Sequence, residues 1–395
     1  MLIKLINMTG GWIDGDTAMR RLGVRPQTLY AYVSRGRVQA RKDPSDPRRS
    51  LYAEGDVERL ADRRRSGRRS GAVAAATMSW GEPVLASAIS TVKGGRLYYR
   101  GVDAVTLSDQ ASFADAAALL MGCDRGAFER ATPAGRPSAE DEARGASRRE
   151  KPFLYLGALA ARADPILGRS RASLAREAAG LLLGLTGIFA PRGGGAEGAA
   201  ALARDFERPE LEDLLRRALV LLAEHELNVS AFAVRVTASS GASLPACLLS
   251  GLATLSGPLH GLASLGVFQL IEEAEALGPC AALRRRLGEG RQAAGFGHPL
   301  YADMDPRARA LLDRFEAPRA YTELAAAAED VLGLQPNVDY VLAALVARYG
   351  LPRGAPFRLF ALARTAGWLA HALEQQGEGR LIRPRARYVG LSPDV

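Results

Sequence analysis

The chain is short of the residues on which most catalytic chemistry rests. Its 395 residues include four His, three Cys and three Trp, and aromatics make up 6%. Cys123, Cys247 and Cys280 are odd in number, far apart and part of no CxxC pair or Cys/His cluster. That pattern excludes a disulfide framework and a structural metal, and it predicts reduced packing residues in a cytoplasmic protein. No apolar run has the about 20 residues that a membrane span needs. The best candidate, Ala178–Ala190, is short and interrupted by Gly180, Gly184 and Gly187. Met1–Gly11 lacks the apolar core and cleavage site of a signal peptide. Residues that favour strands do not dominate. Ala, Leu, Arg and Glu do, and they predict a mainly α protein.

Charge is unevenly spread. The formal net charge is +9, and residues 1–72 alone hold 16 Lys and Arg against 8 Asp and Glu, whereas the rest hold 36 against 35. The excess positive charge therefore sits in the first fifth of the chain. Two parts with different partners are expected, a polyanion for the first and something small for the second.

The first part reads as two short helices and a hairpin. Asp14 or Asp16 can cap a helix with Ala18, Met19 and Leu22 on one face, and Gly23 permits a tight turn after it. Pro26 suits the first turn of a second helix with the apolar stripe Leu29, Tyr32 and Val33. Gly36–Tyr52 is polar and contains Pro44 and Pro47, as a wing would, and Glu54–Leu60 resumes helix. The run T-A-x-x-R-L-G-V-x-x-x-T-L-Y-x-Y-V-x-x-G from Thr17 to Gly36 resembles the winged helix-turn-helix of the MerR and excisionase type. That resemblance implies duplex DNA as a partner of residues 1–62. Gln27, Thr28, Ala31 and Arg35 would face the groove, and Arg37, Arg41, Lys42, Arg48 and Arg49 the phosphates. Residues 63–79 form a basic linker rich in Ser, Gly and Ala.

From residue 80 the pattern changes. Ala86–Gly101 holds two strand-like runs around Lys93-Gly94-Gly95. Nearly everything after Phe113 reads as helix. The clearest segments are Ala114–Met121, Leu174–Leu185, Leu211–Ala223, Ser243–Leu255, Leu262–Ala276, Tyr321–Leu332, Val338–Tyr349 and Phe357–Gln375.

All four His lie in this second part. His260, in G-P-L-H-G, stands just before an amphipathic helix, where the helix dipole favours a neutral imidazole able to donate to an oxyanion. His298 ends G-F-G-H and is followed by Asp305-Pro306-Arg307, a spacing that points to an anion-binding loop. His225 ends an amphipathic helix, and His371 lies inside one, where a structural role is preferred. Asp339 opens an apolar helix; it is a helix-start residue unless a substrate C–H is placed before it.

Eight blocks occur in a fixed order: Y-R-G at 99–101, H-E-L-N at 225–228, G-P-L-H-G at 257–261, G-F-G-H at 295–298, D-P-R at 305–307, P-N-V-D at 336–339, A-R-T-A-G-W at 363–368 and R-P-R at 383–385. In that order they resemble the citrate synthase family over residues 80–392. The resemblance implies a large helical domain (80–260 and 346–395), a small helical domain (261–345), a homodimer, and closure between the domains. It implies condensation of acetyl-CoA with oxaloacetate to citrate and CoA, with no tightly bound cofactor. Asp339 would be the base, His260 the donor to the thioester oxygen and His298 the donor to the oxaloacetate carbonyl. His225, Arg307, Arg364 and, from the partner subunit, Arg383 would bind oxaloacetate, with Phe360 beside the substrate. Gly295, Phe296 and Gly297 would meet the CoA adenine. Pro299, Leu262 and Val341-Leu342-Ala343 depart from the commoner family residues. They leave two alternatives open: 2-methylcitrate synthesis from propionyl-CoA, or a DNA-binding regulator that uses the fold as a metabolite sensor.

Overall fold

The computed structural model describes residues 11–24, 26–34, 38–44, 46, 49–58, 85–135, 147–386, 388 and 390. It divides into two compact units, Met1–Ala86 and Ser87–Val395. The expected linker at 63–79, the residues Arg35, Arg37 and Arg48, and the side chains of Gln27 and Ala31 lie outside the described residues.

In the first unit, β1 (Trp12–Asp14) leads into α1 (Gly15–Leu22) and α2 (Pro26–Ser34), followed by β2 (Ala40–Lys42) and β3 (Ser50–Ala53). The Asp14 carboxylate accepts from the Thr17 backbone N–H at 2.8 Å, an N-cap of the kind that stabilises a helix by about 1 kcal/mol. Gly23 ends α1 in the left-handed region, with φ 60°. The polar run read as a wing forms β2 and β3, which join β1 in an antiparallel sheet of order β1-β3-β2. Residues 54–58 are helical. Ala18, Leu22, Leu29, Val38, Tyr52 and Val57 form a small core, and Tyr32 and Val33 pack against it. The predicted stripe is thus the buried face of α2.

The second unit opens with β4 (Ser90–Lys93), β5 (Arg96–Tyr99) and β6 (Val102–Asp103), an antiparallel sheet. Gly94 and Gly95 both have positive φ, 57° and 72°, which a two-residue hairpin turn demands. Helices follow: α3 (Ala104–Gln110), α4 (Phe113–Met121), α5 (Gly126–Glu129), α6 (Lys151–Ala160), α7 (Arg171–Phe189), α8 (Gly198–Asp205), α9 (Glu212–Leu222), α10 (Val229–Ser239) and α11 (Leu244–Leu255). Then come α12 (Ala263–Leu277), α13 (Pro279–Gly288), α14 (Pro306–Leu312), α15 (Arg319–Leu332), α16 (Val338–Tyr349) and α17 (Ala355–Glu378). The longer predicted segments coincide with α4, α7, α9, α11, α12, α15, α16 and α17 to within a few residues at most ends. The sequence pattern does not mark α3, α5, α6, α8, α10, α13 and α14, and of these α10 bears on the site. Its sequence VSAFAVRVTAS is rich in residues that favour strands.

α17 is buried on every side from Ala355 to Leu373 and packs against α4, α7, α9, α10 and α11. A helix buried all round belongs in a core, and this one is the axis of the unit. α7 corrects one expectation: at 19 residues with a mean hydropathy of 1.3 it is long and apolar enough to cross a membrane. Leu174, Ala178, Leu181, Leu182, Leu185 and Phe189 are buried in the core of this unit, which is the use the structure makes of that length. Arg235, with no exposed surface, ties α10 to α17 by ion pairs to Glu374 (2.7 Å) and Glu378.

Candidate functional site

Three loops and two helix starts converge on one crevice of the second unit. The first loop follows α9. Glu226 adopts a positive φ of 52°, a strained conformation for a side chain with a Cβ. The hairpin holds it there: Ser90 Oγ accepts from its N–H at 3.0 Å, and its carboxylate accepts from the Val92 N–H at 2.6 Å. This bend sets His225 immediately before it. Tyr99 of Y-R-G places its hydroxyl on the Val220, Leu221 and Glu224 carbonyls at 3.0–3.1 Å, closing the end of α9. Glu224 is fully buried and meets His371 Nε2 at 3.2 Å, so His371 is a core partner, as preferred above. A Cβ at Gly367 would lie 1.9 Å from Glu224 Oε2; the glycine of A-R-T-A-G-W lets that carboxylate approach α17.

The second loop carries His260. Its Nε2 lies 2.9 Å from Ser230 Oγ, and Trp368 Nε1 donates to the same oxygen at 3.1 Å. Ser230 has one proton to give. It goes to Asn228 Oδ1 at 2.7 Å, an amide oxygen that only accepts and that also caps α10 by accepting from the backbone N–H groups of Ser230 and Ala231, both at 3.1 Å. Burial, and then Arg364, lower the His260 pKa to about 4. The neutral imidazole expected from the helix dipole is present, but desolvation is its main cause.

The third loop runs from Gly295 to Arg307. Gly295 and Gly297 have φ of 88° and 71°, and a Cβ at Gly295 would meet Val267 at 2.7 Å. The loop pairs with the segment before α16: Gly297 N–H donates to Gln335 O at 2.8 Å, Asn337 N–H to Gly295 O at 2.8 Å, and Asn337 Nδ2 to Gly297 O at 3.0 Å. Phe296 packs on Tyr340, with ring centroids 5.3 Å apart. Much of the backbone expected to meet an adenine is therefore engaged in holding the Asp339 segment. Asn337 also caps α16 by accepting from the Asp339 N–H at 3.0 Å. Leu300 N–H donates to His298 Nδ1 at 3.2 Å, which leaves the His298 proton on Nε2. Burial, and then Arg307, bring this imidazole to about 4 as well.

His225 and His298 stand edge to face with centroids 4.9 Å apart, and Tyr301 closes the cluster. Its hydroxyl lies 2.8 Å from His225 Nε2. Burial keeps His225 well below the usual histidine range, with Arg307 second. Arg307 is 2% exposed and holds Asp305 through Nε at 3.0 Å and a terminal nitrogen at 2.7 Å. Arg364, 1% exposed, donates from Nε to the Leu222 carbonyl at 2.9 Å and lies 4.8 Å from the Phe360 ring centre. Phe360 in turn meets the His260 ring edge to face at 6.3 Å.

Asp339 sits in the crevice with part of its surface accessible. The protein packed around it removes solvation, and this outweighs Arg307 and Arg364 to raise its carboxyl to about 6. A carboxylate of that strength is a better base than an ordinary aspartate. The buried guanidinium groups of Arg307 and Arg364 act on it, and they act in turn on the neutral imidazoles of His298 and His260. The arrangement can take a proton from carbon, receive negative charge on oxygen and hold a small dianion.

Arg383 is not part of this cluster. It lies exposed on an extended segment after α17. The sequence reading also passed over several residues. Trp368, Asp305 and Asn337 lay inside quoted motifs without a role. Ser230 lies two residues beyond H-E-L-N. Tyr301 carried no signal at all. Among the described residues, no group of three or more His, Cys, Asp or Glu could hold a metal ion.

A family model for "Citrate synthase, C-terminal domain" matches residues 179–385. The citrate synthase of Haloferax volcanii is 38% identical over 192 residues, 46% of this chain and 51% of that protein. The citrate/2-methylcitrate synthase of Bacillus subtilis is 38% identical over 192 residues, 45% of this chain and 51% of that protein. The chain thus spans about half the length of the relatives it matches. The crystal structure of citrate synthase from Thermotoga maritima superposes with a TM-score of 0.65 at 28% identity, covering 80% of this chain and 95% of that one.

Proposed function

From the premise that the chain belongs to the citrate synthase family, we propose that it condenses oxaloacetate with acetyl-CoA and hydrolyses the resulting thioester to citrate and CoA. The observation that carries this reading is that Arg307 and Arg364 both act on the raised Asp339 carboxyl, while Arg364 also acts on His260 and Arg307 on His298, two imidazoles kept neutral chiefly by burial. A thioester methyl is a very weak acid. Asp339 takes its proton while a ring N–H of His260 donates to the thioester oxygen as it gains charge. The enolate carbon attacks the ketone of oxaloacetate, and His298 Nε2–H donates to that oxygen as it becomes an alkoxide. Arg307, Arg364 and His225 hold the dianion, with the bidentate fit that guanidinium offers a carboxylate. Water then cleaves the thioester and releases CoA. Both substrates bring what the chemistry needs, so no resident cofactor is called for.

A homodimer completes the site in this proposal. Val229, Phe232, Ala233 and Val236 recur at helical spacing along α10, with Val229 68% and Val236 38% exposed. Ala246, Leu249, Ser250 and Ala253 do the same on α11, which Ser250 joins to α10 by donating to Ala233 O at 3.4 Å. We assign this apolar face to a second copy, whose Arg383 supplies the third cation. The three free cysteines fit a reducing, cytoplasmic setting. For residues 1–62 we propose a winged helix-turn-helix that binds duplex DNA, supported by their basic charge and by the hairpin that follows α2.

Thiol release with oxaloacetate tests the catalytic reading, with acetyl-CoA and propionyl-CoA compared side by side. Release above background with acetyl-CoA is expected. Preference for propionyl-CoA would make the chain a 2-methylcitrate synthase. No release with either would favour a metabolite sensor.

A further inference from the structure

His298 has a neighbour that decides which nitrogen carries the proton, and His225 has one too. We propose that the Tyr301 hydroxyl is a positioning group of the oxaloacetate site, donating to His225 Nε2 and so holding His225 as the Nδ1–H tautomer. The kinetic part of this proposal rests on the synthase reading above; the tautomer itself does not.

The geometry begins in the backbone. His298, Pro299, Leu300 and Tyr301 form a tight turn closed by the Tyr301 N–H donating to His298 O at 3.1 Å. Proline in its second position fixes φ there and stiffens the turn. Within it, Leu300 N–H takes His298 Nδ1 at 3.2 Å, and the next residue places its phenol 2.8 Å from His225 Nε2. One turn thus sets the proton of two site histidines, in opposite senses. His298 keeps its proton on Nε2, and His225 keeps its proton on Nδ1.

The direction of the Tyr301 bond follows from acidity. A phenol O–H is a far stronger acid than the N–H of a neutral imidazole, so in an O···N pair the phenol donates. Tyr301 is 5% exposed and packs at a tilt on His298 with ring centroids 5.0 Å apart, so its ring has little freedom to turn the hydroxyl elsewhere. A free neutral imidazole prefers the proton on Nε2. Without the hydroxyl, His225 would present a bare Nδ1 to an anionic substrate and repel it. With the hydroxyl, it presents an N–H.

The test uses the whole protein. With four histidines in the chain, nitrogen-15 spectra of labelled protein near pH 7 can be assigned by substituting them one at a time. We expect the wild-type His225 to show a protonated Nδ1 and a bare Nε2 in the absence of substrate. In Tyr301→Phe, which retains the ring and its stacking, the proton should move to Nε2. The same variant should raise the KM for oxaloacetate by about tenfold, the worth of one hydrogen bond to a charged ligand, while kcat and the KM for acyl-CoA stay within about twofold. A general loss of structure would lower kcat without that split. Wild-type His225 protonated on Nε2 overturns the proposal without any variant. So does an unchanged tautomer, or an unchanged oxaloacetate KM, in Tyr301→Phe. Absence of all turnover in the wild type would defeat the synthase reading and leave the spectroscopic result to stand by itself.

Discussion

Arginine is used in two opposite ways in the two units. In the first unit Arg41 lies in the open, 4.2 Å over the Trp12 ring, and Arg49 pairs loosely with Asp46 at 3.5 Å, its side chain 77% exposed. In the second, Arg307 and Arg364 are 2% and 1% exposed and are held by a buried carboxylate and a helix-end carbonyl. Exposed cations of the first kind contribute little to folding. They attract a long anion from a distance and are screened by salt. Buried cations are costly to desolvate and must be held in place, but they act on a small anion at full strength. A basic segment and a basic site therefore differ in kind.

The largest effect that this difference predicts comes from the buried side. Asp339→Asn should lower kcat by about 10³-fold or more, since a positioned base contributes about 10²–10⁴, while oxaloacetate affinity stays near normal. In the wild type, kcat/KM should fall about tenfold per pH unit below about 6, where Asp339 of the free enzyme takes up its proton. A folded Asp339→Asn enzyme with near-normal kcat would place the base elsewhere and empty the comparison of its catalytic half.

Salt separates the two kinds of cation directly. If about six phosphates are contacted, DNA affinity of the full-length protein should drop by about 10³ between 50 and 200 mM salt. Over the same range the KM for oxaloacetate should move only severalfold. Equal sensitivity of both would mean that the buried arginines are solvated after all.

Arg383 sharpens the contrast, because it is an exposed arginine proposed to become a buried one across a dimer. Arg383→Ala and Asp339→Asn should each be inactive as homodimers. Mixed dimers hold one doubly defective site and one intact site, and should recover up to about half of wild-type activity per heterodimer. Verified heterodimers that remain dead would show that Arg383 serves its own subunit.

How much of this was legible in sequence follows the same division. Periodicity placed amphipathic helices such as α9, and length placed α17, whose buried run from Ala355 to Leu373 is too long for a strand. Motif order placed His225, His260, His298 and Asp339. What was not legible was the support. Ser230 and Tyr301 act through one hydroxyl each, brought to a histidine by chain segments far away in sequence, and neither periodicity nor spacing marks such a residue. α10 escaped because β-branched residues mask a helix that a single cap, Asn228, begins. The charge in residues 1–72 was plain, but charge alone does not say what it meets.

Stability carries a smaller signature of the buried site. Asp339 holds its proton up to about pH 6 when folded and to its ordinary 3.8 when unfolded. Between those values the folded state binds the proton more tightly, so stability falls as pH rises through that window. Above it the full penalty applies, on the order of 2–3 kcal/mol. Asp339→Asn should therefore be more stable than the wild type at pH 7, and the gain should vanish below about pH 4, as chemical unfolding at the two pH values would show. No gain at pH 7 would mean that the carboxylate is solvated in the folded protein.

The smallest expected effect concerns the first unit. Removal of residues 1–72 should leave kcat and both KM values within about twofold, while DNA binding disappears. Every residue that builds the crevice within one chain lies between Ser90 and His371, and the cores of the two units are distinct clusters. The described cations of the first unit, Arg20, Arg21, Arg41, Lys42 and Arg49, are exposed, and screening limits their reach to about 10 Å at moderate salt. A dianion bound among buried arginines has no use for them. Turnover by the 73–395 chain and its salt titration beside the full-length protein decide the point. If kcat collapses on truncation, residues 1–72 belong to the enzyme's structure; if the truncated chain binds duplex DNA equally well, the polyanion site lies in the helical unit. Either result would dissolve the separation between charge displayed and charge enclosed.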